Sequence, residues 1–415
     1  MNQSRSLASI LVLGLSVLLL GGLVWANYHF AQSNIAGEGY SIQWISIQSL
    51  SKSATDPYSD QVTEQIRSFV PQENAFVKDI YPRYTSPLFS GVVIFPFTLI
   101  GDKTLAHALW MTAQLVVIFV MILLCLKMTS WKPNWYSFFL FSIFTVFGYH
   151  VVMPWLDGGL SIWAAFFMVL ALVSISTNRN EMAGVFLALA AVQPQMVILP
   201  LIFTLIWSIS KKRTVLVLWF LITLILLSVI GLFLVPGWIV HYLRLLYNFS
   251  ANFPPGSPGA FLASTSPGLG KQLGWLASGI SALILLIEWF VALRKDFRWF
   301  LWTICLTMVI SQWIGIPSIP ANFIELIIPL LLICALLSER WPRGGPWVAV
   351  PISLLVFVWE WALYNLDVTG VQPAMQLNLI FPFPAVLLFG LYWVRWWAVK
   401  PRRLLIEELR LSETY

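Results

Sequence analysis

Long apolar runs separated by short polar turns make up most of this chain, and one long polar interval interrupts the pattern early. That interval, residues 27–85, follows the first apolar run and concentrates carboxylates and cations in a chain with only 18 acidic residues out of 415. A run of about 20 apolar residues is long enough to cross ~30 Å of hydrocarbon as a helix. The pattern therefore predicts an all-α polytopic membrane protein with a long first loop.

Twelve apolar runs are candidate transmembrane helices of a single integral membrane domain. We predict these spans at residues 7–26, 86–101, 104–126, 134–153, 158–176, 181–209, 214–236, 273–292, 299–316, 321–337, 346–364 and 378–397. The polar parts are a first outer loop at 27–85, a second outer loop at 237–272 and a cytoplasmic tail at 398–415; core spans occupy 86–236 and C-terminal spans 273–397. The first run is long and lacks a clear cleavage site, so we interpret it as a retained anchor.

Clusters of Lys and Arg occur at every second junction of the C-terminal half, which indicates one cytoplasmic face. They are Lys211-Lys212-Arg213, Arg294-Lys295 with Arg298, Arg340 with Arg343, and Lys400 with Arg402-Arg403. Counting back from them places the loop 27–85 outside. Twelve crossings then leave Lys127, Lys132 and Arg179 outside, against the positive-inside rule.

An alternative topology removes this conflict. The run 86–101 is short and contains Pro96, so it could re-enter the membrane without crossing it. The run 181–209 could form a hairpin at Gln193-Pro194-Gln195. Both loops, 27–85 and 237–272, share one face in either topology.

Composition supports a membrane protein and excludes other classes. Apolar residues make up 59% of the chain and charged residues 10%, and the net charge is +6. Membrane orientation explains the basic clusters, so we expect no nucleic-acid partner. The cysteines Cys125, Cys305 and Cys334 lie in apolar runs without disulfide or metal spacing, and we predict neither a metal nor a cofactor.

Two carboxylates of the first loop are candidate catalytic groups. Glu38, in Gly37-Glu38-Gly39, would lie beside the membrane surface, where a general base could activate a sugar hydroxyl; the alternative is a solvated loop residue. Asp56 is the second candidate, although Asp56-Pro57 is also a good helix start for an amphipathic surface helix. Asp56 and Asp60 are four residues apart and do not form a metal-binding Asp-x-Asp pair.

The end of the first loop carries groups that could bind a phosphate. Cations and hydroxyls precede the second apolar run, and at headgroup depth they could clamp a phosphoryl group. An interfacial belt of aromatic residues and snorkelling cations is the alternative. The candidates are Lys78, Tyr81, Arg83 and Tyr84, with Arg244 of the second outer loop, a Gly- and Pro-rich segment that could act as a lid.

Polar groups inside the apolar runs are costly in a membrane and are therefore candidates for function. Asp157 precedes Gly158-Gly159, where a helix cap would also explain it. Gln193 and Gln195 flank Pro194, and a structural kink is the alternative there. Asn322 and Glu325 lie at the outer end of a late span.

Short motifs in this chain resemble family 87 (GT87) of the GT-C glycosyltransferases, the branch of the bacterial polyprenol-phosphate-mannose-dependent mannosyltransferases. Asp56-Pro57-Tyr58 is similar to the family's Gly-x-Pro-Tyr turn, and Tyr84-Thr85-Ser86-Pro87-Leu88 with Pro96 to its Tyr-Pro-Pro-led span. Further similar motifs are Asp157-Gly158-Gly159-Leu160, Ala183-Gly184, Gln193-Pro194-Gln195 and Asn322-Phe323 with Pro329. The family's early aspartate is replaced by Glu38 and its late histidine by Asn322, and its Gly-Gln pair and lysine are not kept.

The resemblance implies a GT-C-like bundle and a hexosyltransferase. Such an enzyme moves a sugar from a polyprenyl-phosphate donor to a lipid, glycan or protein acceptor at the outer face of a prokaryotic cytoplasmic membrane. Glu38 would be the base and Arg83 would neutralise the leaving phosphate, with Lys78 or Arg244 as further candidates. A transporter of lipid-linked glycans and an inactive membrane subunit are the alternatives.

Overall fold

The computed structural model describes residues 2–32, 37–69, 83–249, 257–266, 268–314, 320–341, 351, 353–362 and 382–399. All regular structure in these ranges is helical, which confirms the all-α prediction. The α-helices are α1 Asn2–Gln32, α2 Glu38–Ser53, α3 Asp60–Phe69, α4 Gly91–Thr98, α5 Lys103–Thr129, α6 Trp135–Val146, α7 Tyr149–Asp157, α8 Ser161–Ser176, α9 Asn180–Ala190, α10 Pro194–Ser210, α11 Thr214–Leu234, α12 Trp238–Phe249, α13 Pro258–Thr265, α14 Gly270–Ala292, α15 Phe297–Ser311, α16 Ile327–Arg340, α17 Ser353–Ala362 and α18 Pro382–Val399. Two 3₁₀ helices span Leu88–Ser90 and Pro320–Leu326.

Several helices are long and apolar enough to cross a membrane, so the protein is a multi-pass membrane protein. Among the described residues there are five such segments, Gly14–Gln32, Lys103–Thr129, Thr214–Leu234, Gly270–Ala292 and Ala321–Arg340, and six if the bent pair α6–α7 forms one span. The expectation of about twelve transmembrane helices is not confirmed. Several predicted spans consist of helices that are too short to cross.

One end of the helix bundle, which we call the basic end, collects the cationic junctions at residues 127–134, 177–180, 210–214, 292–298 and 338–341. Arg213 donates to Asn178 Oδ1 (2.9 Å) and to the carbonyl of Ile175 (3.1 Å). Lys211 donates to the carbonyl of Arg294 (3.3 Å). A cavity of about 700 Å³ lined by residues 128–134, Arg298 and Glu339 joins the end of α5 to the same region. These contacts bring Lys132 and Arg179 to the side that carries the other basic clusters.

Helices α9 and α10 form a hairpin, which corrects the prediction of one span at 181–209. The turn before α9 and the turn after α10 both lie at the basic end, because Arg213 donates to Asn178. Pro194 has no N–H to donate and begins α10, so the chain turns at residues 191–193. The hairpin alternative, which removes the charge conflict of Arg179, is the arrangement observed.

The predicted span 86–101 is also corrected. It contains a 3₁₀ turn and then α4 of only 8 residues, which is ~12 Å long at 1.5 Å per residue. Trp44 of α2 donates to the carbonyl of Phe97 (3.3 Å), and Asp102 caps the start of α5 through its carboxylate. The segment therefore returns to the side on which it began, as Pro96 suggested.

Helices α8, α9, α10 and α15 are shorter than the hydrocarbon core, and each has one end inside the bundle. They have 16, 11, 17 and 15 residues, so they are ~17–26 Å long and cannot cross ~30 Å. We call the region where they end, together with the end of α7, the inner junction; it comprises residues 157–161, 190–195, 311–314 and 320–326. Between it and the basic end lies a packed aromatic layer of Phe203, Trp207, Trp289 and Phe300.

The other end of the bundle, which we call the loop end, comprises residues 37–69, 83–102 and 235–249. His241 Nδ1 of α12 lies 3.4 Å from Asp56 Oδ2, so the two predicted outer loops do meet, and Phe89 packs against Trp238 with ring centroids 5.9 Å apart. Lys103, the first residue of α5, lies over the ring of Phe69 at 4.6 Å. The loop end and the basic end are therefore opposite ends of α5.

Candidate active site

Glu38 and Asp157 come together where the loop end meets the inner junction. Glu38 is the first residue of α2 and Asp157 the last residue of α7. The Asp157 carboxylate accepts a hydrogen bond from the backbone N–H of Gly159 (3.1 Å) and another from that of Gly39. Asp157 of the core is thus held against Gly39, the residue that follows Glu38 in the first loop.

Glycines make this close approach possible. A Cβ on Gly39 would overlap the carboxylate of Asp157, and one on Gly158 would lie 2.7 Å from Cβ of Tyr40. Gly158 also adopts a left-handed conformation, with φ +69°, at the end of α7. The pattern Gly-Glu-Gly in the first loop and Asp-Gly-Gly in the core is therefore required by packing between the two segments.

The environment of Glu38 suits a group that exchanges a proton near neutral pH. Burial, and secondarily the negative charge of Asp157, raise the pKa of Glu38 from 4.5 to about 7. A carboxyl with this pKa is ionised in a substantial fraction of molecules at pH 7 and binds a proton much more strongly than an ordinary glutamate. General-base catalysis is most effective when the pKa lies close to the working pH.

A second group of predicted residues meets at the inner junction. Asn322 Oδ1 accepts hydrogen bonds from Ser161 Oγ (2.7 Å) and from Gln193 Nε2 (3.4 Å). Asn322 is buried, and Gln193 and the nearby Gln195 are partly buried. Because Ser161 follows Asp157 by four residues, this polar group is continuous with the carboxyl pair.

Glu325 lies one 3₁₀ turn after Asn322 and is completely buried. Its Oε1 accepts from Gln312 Nε2 (2.5 Å) and from Ser311 Oγ (3.4 Å), while Oε2 has no hydrogen-bond partner. Among the described residues no cation forms an ion pair with it. Glu325 therefore extends the polar group toward α15 as an enclosed acceptor, with no exposed surface through which a substrate could contact it.

The remaining predicted residues of the first loop have other surroundings. Asp56 accepts from the backbone N–H of Tyr58 (2.9 Å) and pairs with His241 of α12 (Oδ2 to Nδ1, 3.4 Å). It does not begin the surface helix, which starts at Asp60 with Ser59 Oγ accepting from Val62 N (3.3 Å). Tyr84 is buried, and its hydroxyl is hydrogen-bonded within its own turn to Pro87 O and Ser90 Oγ.

The predicted phosphate-binding cations lie at the loop end. Arg83 is exposed and is 3.9 Å from Asp60, a loose pair that leaves most of its N–H groups in solvent. Arg244 is exposed on α12. Lys78 and Tyr81 lie outside the described residues, so their predicted roles stay predictions.

Three residues of α5 that the sequence did not single out contact this site. Trp110 Nε1 donates to the carbonyl of Gly158 (2.7 Å), and Gln114 Nε2 to that of Gly159 (3.0 Å). His107 stacks on Tyr40 with ring centroids 4.4 Å apart. Their spacing of three and four residues within an apolar run is the signal that could have identified them, since it places all three on one side of the helix.

Comparison with known proteins assigns the chain to a family. The model of glycosyltransferase family 87 matches residues 84–317, more than half of the 415 residues. The chain belongs to glycosyltransferase family 87. No curated protein and no solved structure matches the chain.

The assignment makes this protein a membrane glycosyltransferase, an enzyme that transfers a sugar. The part of the family-87 chain that matches includes Asp157 and Gln193, but Glu38 and Asn322 lie outside it. The backbone N–H of Gly39 donates to the Asp157 carboxylate, and this is one of the contacts that join the unmatched first loop to the matched core.

Proposed function

We propose that this family-87 glycosyltransferase moves a hexose from a polyprenyl-phosphate donor to a hydroxyl group of a lipid, glycan or protein acceptor. The reaction takes place beside Glu38, at the inner junction, with both substrates entering from the loop end. The observation that carries the proposal is the pair of Glu38 and Asp157, in which Glu38 has a pKa of about 7. Membrane burial favours a lipid-linked donor, because a polyprenyl tail partitions into the bilayer beside the helices.

In the proposed reaction Glu38 accepts the proton of the acceptor hydroxyl as its oxygen attacks the anomeric carbon. The bond between that carbon and the phosphate oxygen breaks, and polyprenyl phosphate leaves with the bonding electron pair. One glycosidic bond forms, one glycosyl–phosphate bond breaks, and the configuration at the anomeric carbon inverts. Asp157 raises the proton affinity of Glu38 and stays held by the two backbone N–H groups.

The leaving phosphate needs positive charge near the same place. Helices α8 and α10 begin at the inner junction, at Ser161 and Pro194, and a helix N-terminus favours an anion. We propose that Arg83 supplies a full charge, because it is exposed at the loop end and only loosely paired. Arg244 of α12 is the second candidate.

The distribution of charge supports an outward-facing reaction in a prokaryotic cytoplasmic membrane. Lys127, Lys132 and Arg179 contradict the positive-inside rule if there are twelve crossings, whereas the hairpin α9–α10 and the non-crossing α4 return them to the basic end. With the basic end in the cytoplasm, the loop end and Glu38 face outward. Labelling of a single cysteine at exposed Ser51 by an impermeant maleimide in intact cells tests this orientation, with a cysteine at exposed Ser130 as the control.

Purified enzyme in lipid nanodiscs tests the reaction. We expect release of polyprenyl phosphate and glycosylation of a lipid or glycan acceptor when polyprenyl-phosphate hexoses are supplied, and no transfer from a nucleotide sugar. Glu38→Gln keeps the size of the side chain and removes the base, so transfer should be lost. Full transfer by this variant would show that another group is the base; transfer from nucleotide sugars alone would contradict the donor class.

A further inference from the structure

One side of α5 contacts both segments that carry the site's carboxyls. His107 stacks on Tyr40, two residues after Glu38, with interplanar angle 9°. A Cβ on Gly37, which has φ +95°, would overlap the imidazole ring of His107. The start of α2 is therefore seated directly on α5.

The turn after Asp157 is seated on the same side of α5, one and two turns further along. The Trp110 and Gln114 side chains are completely buried, and their N–H groups donate to the two consecutive carbonyls of Gly158 and Gly159. Trp110 also lies 6.2 Å from the ring of Tyr40. Both carboxyl-bearing segments are thus in contact with three side chains of one helix.

We propose that the His107–Trp110–Gln114 side of α5 is a positioning template that fixes the distance between the carboxyls of Glu38 and Asp157. The inference rests on the proposed function, in which Glu38 is the base. Two carboxylates repel each other, and both segments begin or end at left-handed glycines that allow the backbone to turn. Without the two donors the Asp157 turn could move away from α2.

The electrostatic consequence is a change in the pKa of Glu38. Asp157 of α7 acts on Glu38 by its charge, His107 of α5 lies against the neighbouring Gly37, and Lys103 of α5 acts on His107. Of these, Asp157 is the one that raises the pKa of Glu38, by its negative charge. Since Coulomb energy falls with distance, moving Asp157 outward by a few ångströms should lower that pKa by about 0.5 to 1 unit.

Carbodiimide labelling of Glu38 measures its protonation without turnover, because carbodiimides react with the protonated carboxyl. The full chain in nanodiscs would be labelled from pH 5 to pH 9 and quantified by mass spectrometry. We expect a midpoint near pH 7 in the native chain, and a midpoint about 0.5 to 1 unit lower in Trp110→Phe and in Gln114→Met. An unchanged midpoint in both variants would overturn the template.

A neighbouring tryptophan provides the matched control. The ring of Trp163 lies next to that of Trp110 (centroids 5.4 Å apart, planes tilted by 36°), but its indole N–H has no hydrogen-bond partner. Trp163→Phe therefore perturbs the same aromatic packing without removing a donor, and its midpoint should stay at the native value. Monodisperse elution of each variant shows that it has folded, and either donor variant alone is sufficient for the test.

Sugar transfer measured over the same pH range separates this inference from the proposed function. If the labelling midpoint and the acidic limb of kcat/KM both move, the template and the base are both supported. If the labelling midpoint moves while the limb does not, the template holds and Glu38 is not the base. If the midpoint is unmoved, the template fails whatever the limb does.

Discussion

The first polar loop places two acids in contact with other parts of the bundle, and the two environments differ. Glu38 meets another carboxyl, Asp157, in a partly buried position backed by α5, and its pKa rises to about 7. Asp56 meets a histidine, His241, and both side chains are about a third or more exposed. Burial and like charge make Glu38 reactive toward protons, whereas exposure and a complementary partner make Asp56 a surface link between α12 and the first loop.

The comparison separates two properties that look alike in a sequence. A carboxylate in a polar loop can take part in catalysis or stabilise tertiary structure. Which of the two it does depends on the group that it contacts. For Glu38 that group comes from more than 100 residues away in α7. For Asp56 it comes from α12, almost 200 residues away.

The largest expected difference is in the rate of transfer. Glu38→Gln should lower kcat by roughly 10²- to 10⁴-fold, the usual contribution of a general base, and Asp56→Asn by less than about tenfold, since only a surface pair is lost. Initial rates with a polyprenyl-phosphate hexose measure both. Equal losses in the two variants would mean that the two acids do not have separate roles.

A steric change at Gly39 should separate the carboxyls without removing either of them. In Gly39→Ala the new methyl group overlaps the Asp157 carboxylate, and misplacement by about 1 Å can cost on the order of 10² in rate. Gly101→Ala is the control, because a Cβ there has no heavy atom within 4 Å. Native rates in Gly39→Ala would contradict the close contact on which the site depends.

The pH dependence of the rate tests whether the charge of Asp157 acts on Glu38. The base works when deprotonated, so kcat/KM should rise with pH through the pKa of Glu38 at about 7. Asp157→Asn removes the charge that raises this pKa, so the rise should occur at lower pH, with burial still holding it above the ordinary value of 4.5. A shift to higher pH would mean that the Asp157 charge does not act on Glu38 as described.

The smallest effect is expected for the surface pair. A double-mutant cycle of Asp56→Asn and His241→Gln should give a coupling free energy of at most about 1 kcal/mol in thermal unfolding, as for other exposed ion pairs. The coupling should weaken as salt is added. A coupling of several kcal/mol would show that α12 depends on this pair and would remove the contrast with Glu38.

The class of fold could be predicted from the sequence, but the path of the chain through the membrane could not. The length of an apolar run does not distinguish one crossing from two half-length helices that turn back. By its length the run 181–209 predicts one span, although Gln193-Pro194-Gln195 marks a break in it. The conflict of Arg179 with the positive-inside rule was the sign that the crossing count was too high.

Parts of the candidate site can also be predicted from the sequence. The sequence indicates Glu38 as an acid beside the membrane surface, and Asp157, Gln193 and Asn322 as polar groups that are costly inside a membrane; Gln193 and Asn322 share a hydrogen bond. That Asp157 lies beside Glu38 could not be read from the sequence, since only the packing of α2, α5 and α7 creates the contact. Trp110 and Gln114 are not evident from the sequence, because they lie in the middle of an unbroken apolar run, whereas Gln193 stands beside Pro194.

The hairpin of α9 and α10 lies between the candidate site and the basic end. Its tip lies beside Asn322, to which Gln193 donates a hydrogen bond, and between the tip and the basic end the rings of Phe203, Trp207 and Phe300 pack against one another. In the proposed reaction, a lipid-linked donor that arrives from one leaflet would therefore leave its carrier in that same leaflet. We expect an enzyme that works at one surface of the bilayer and does not carry lipid across it.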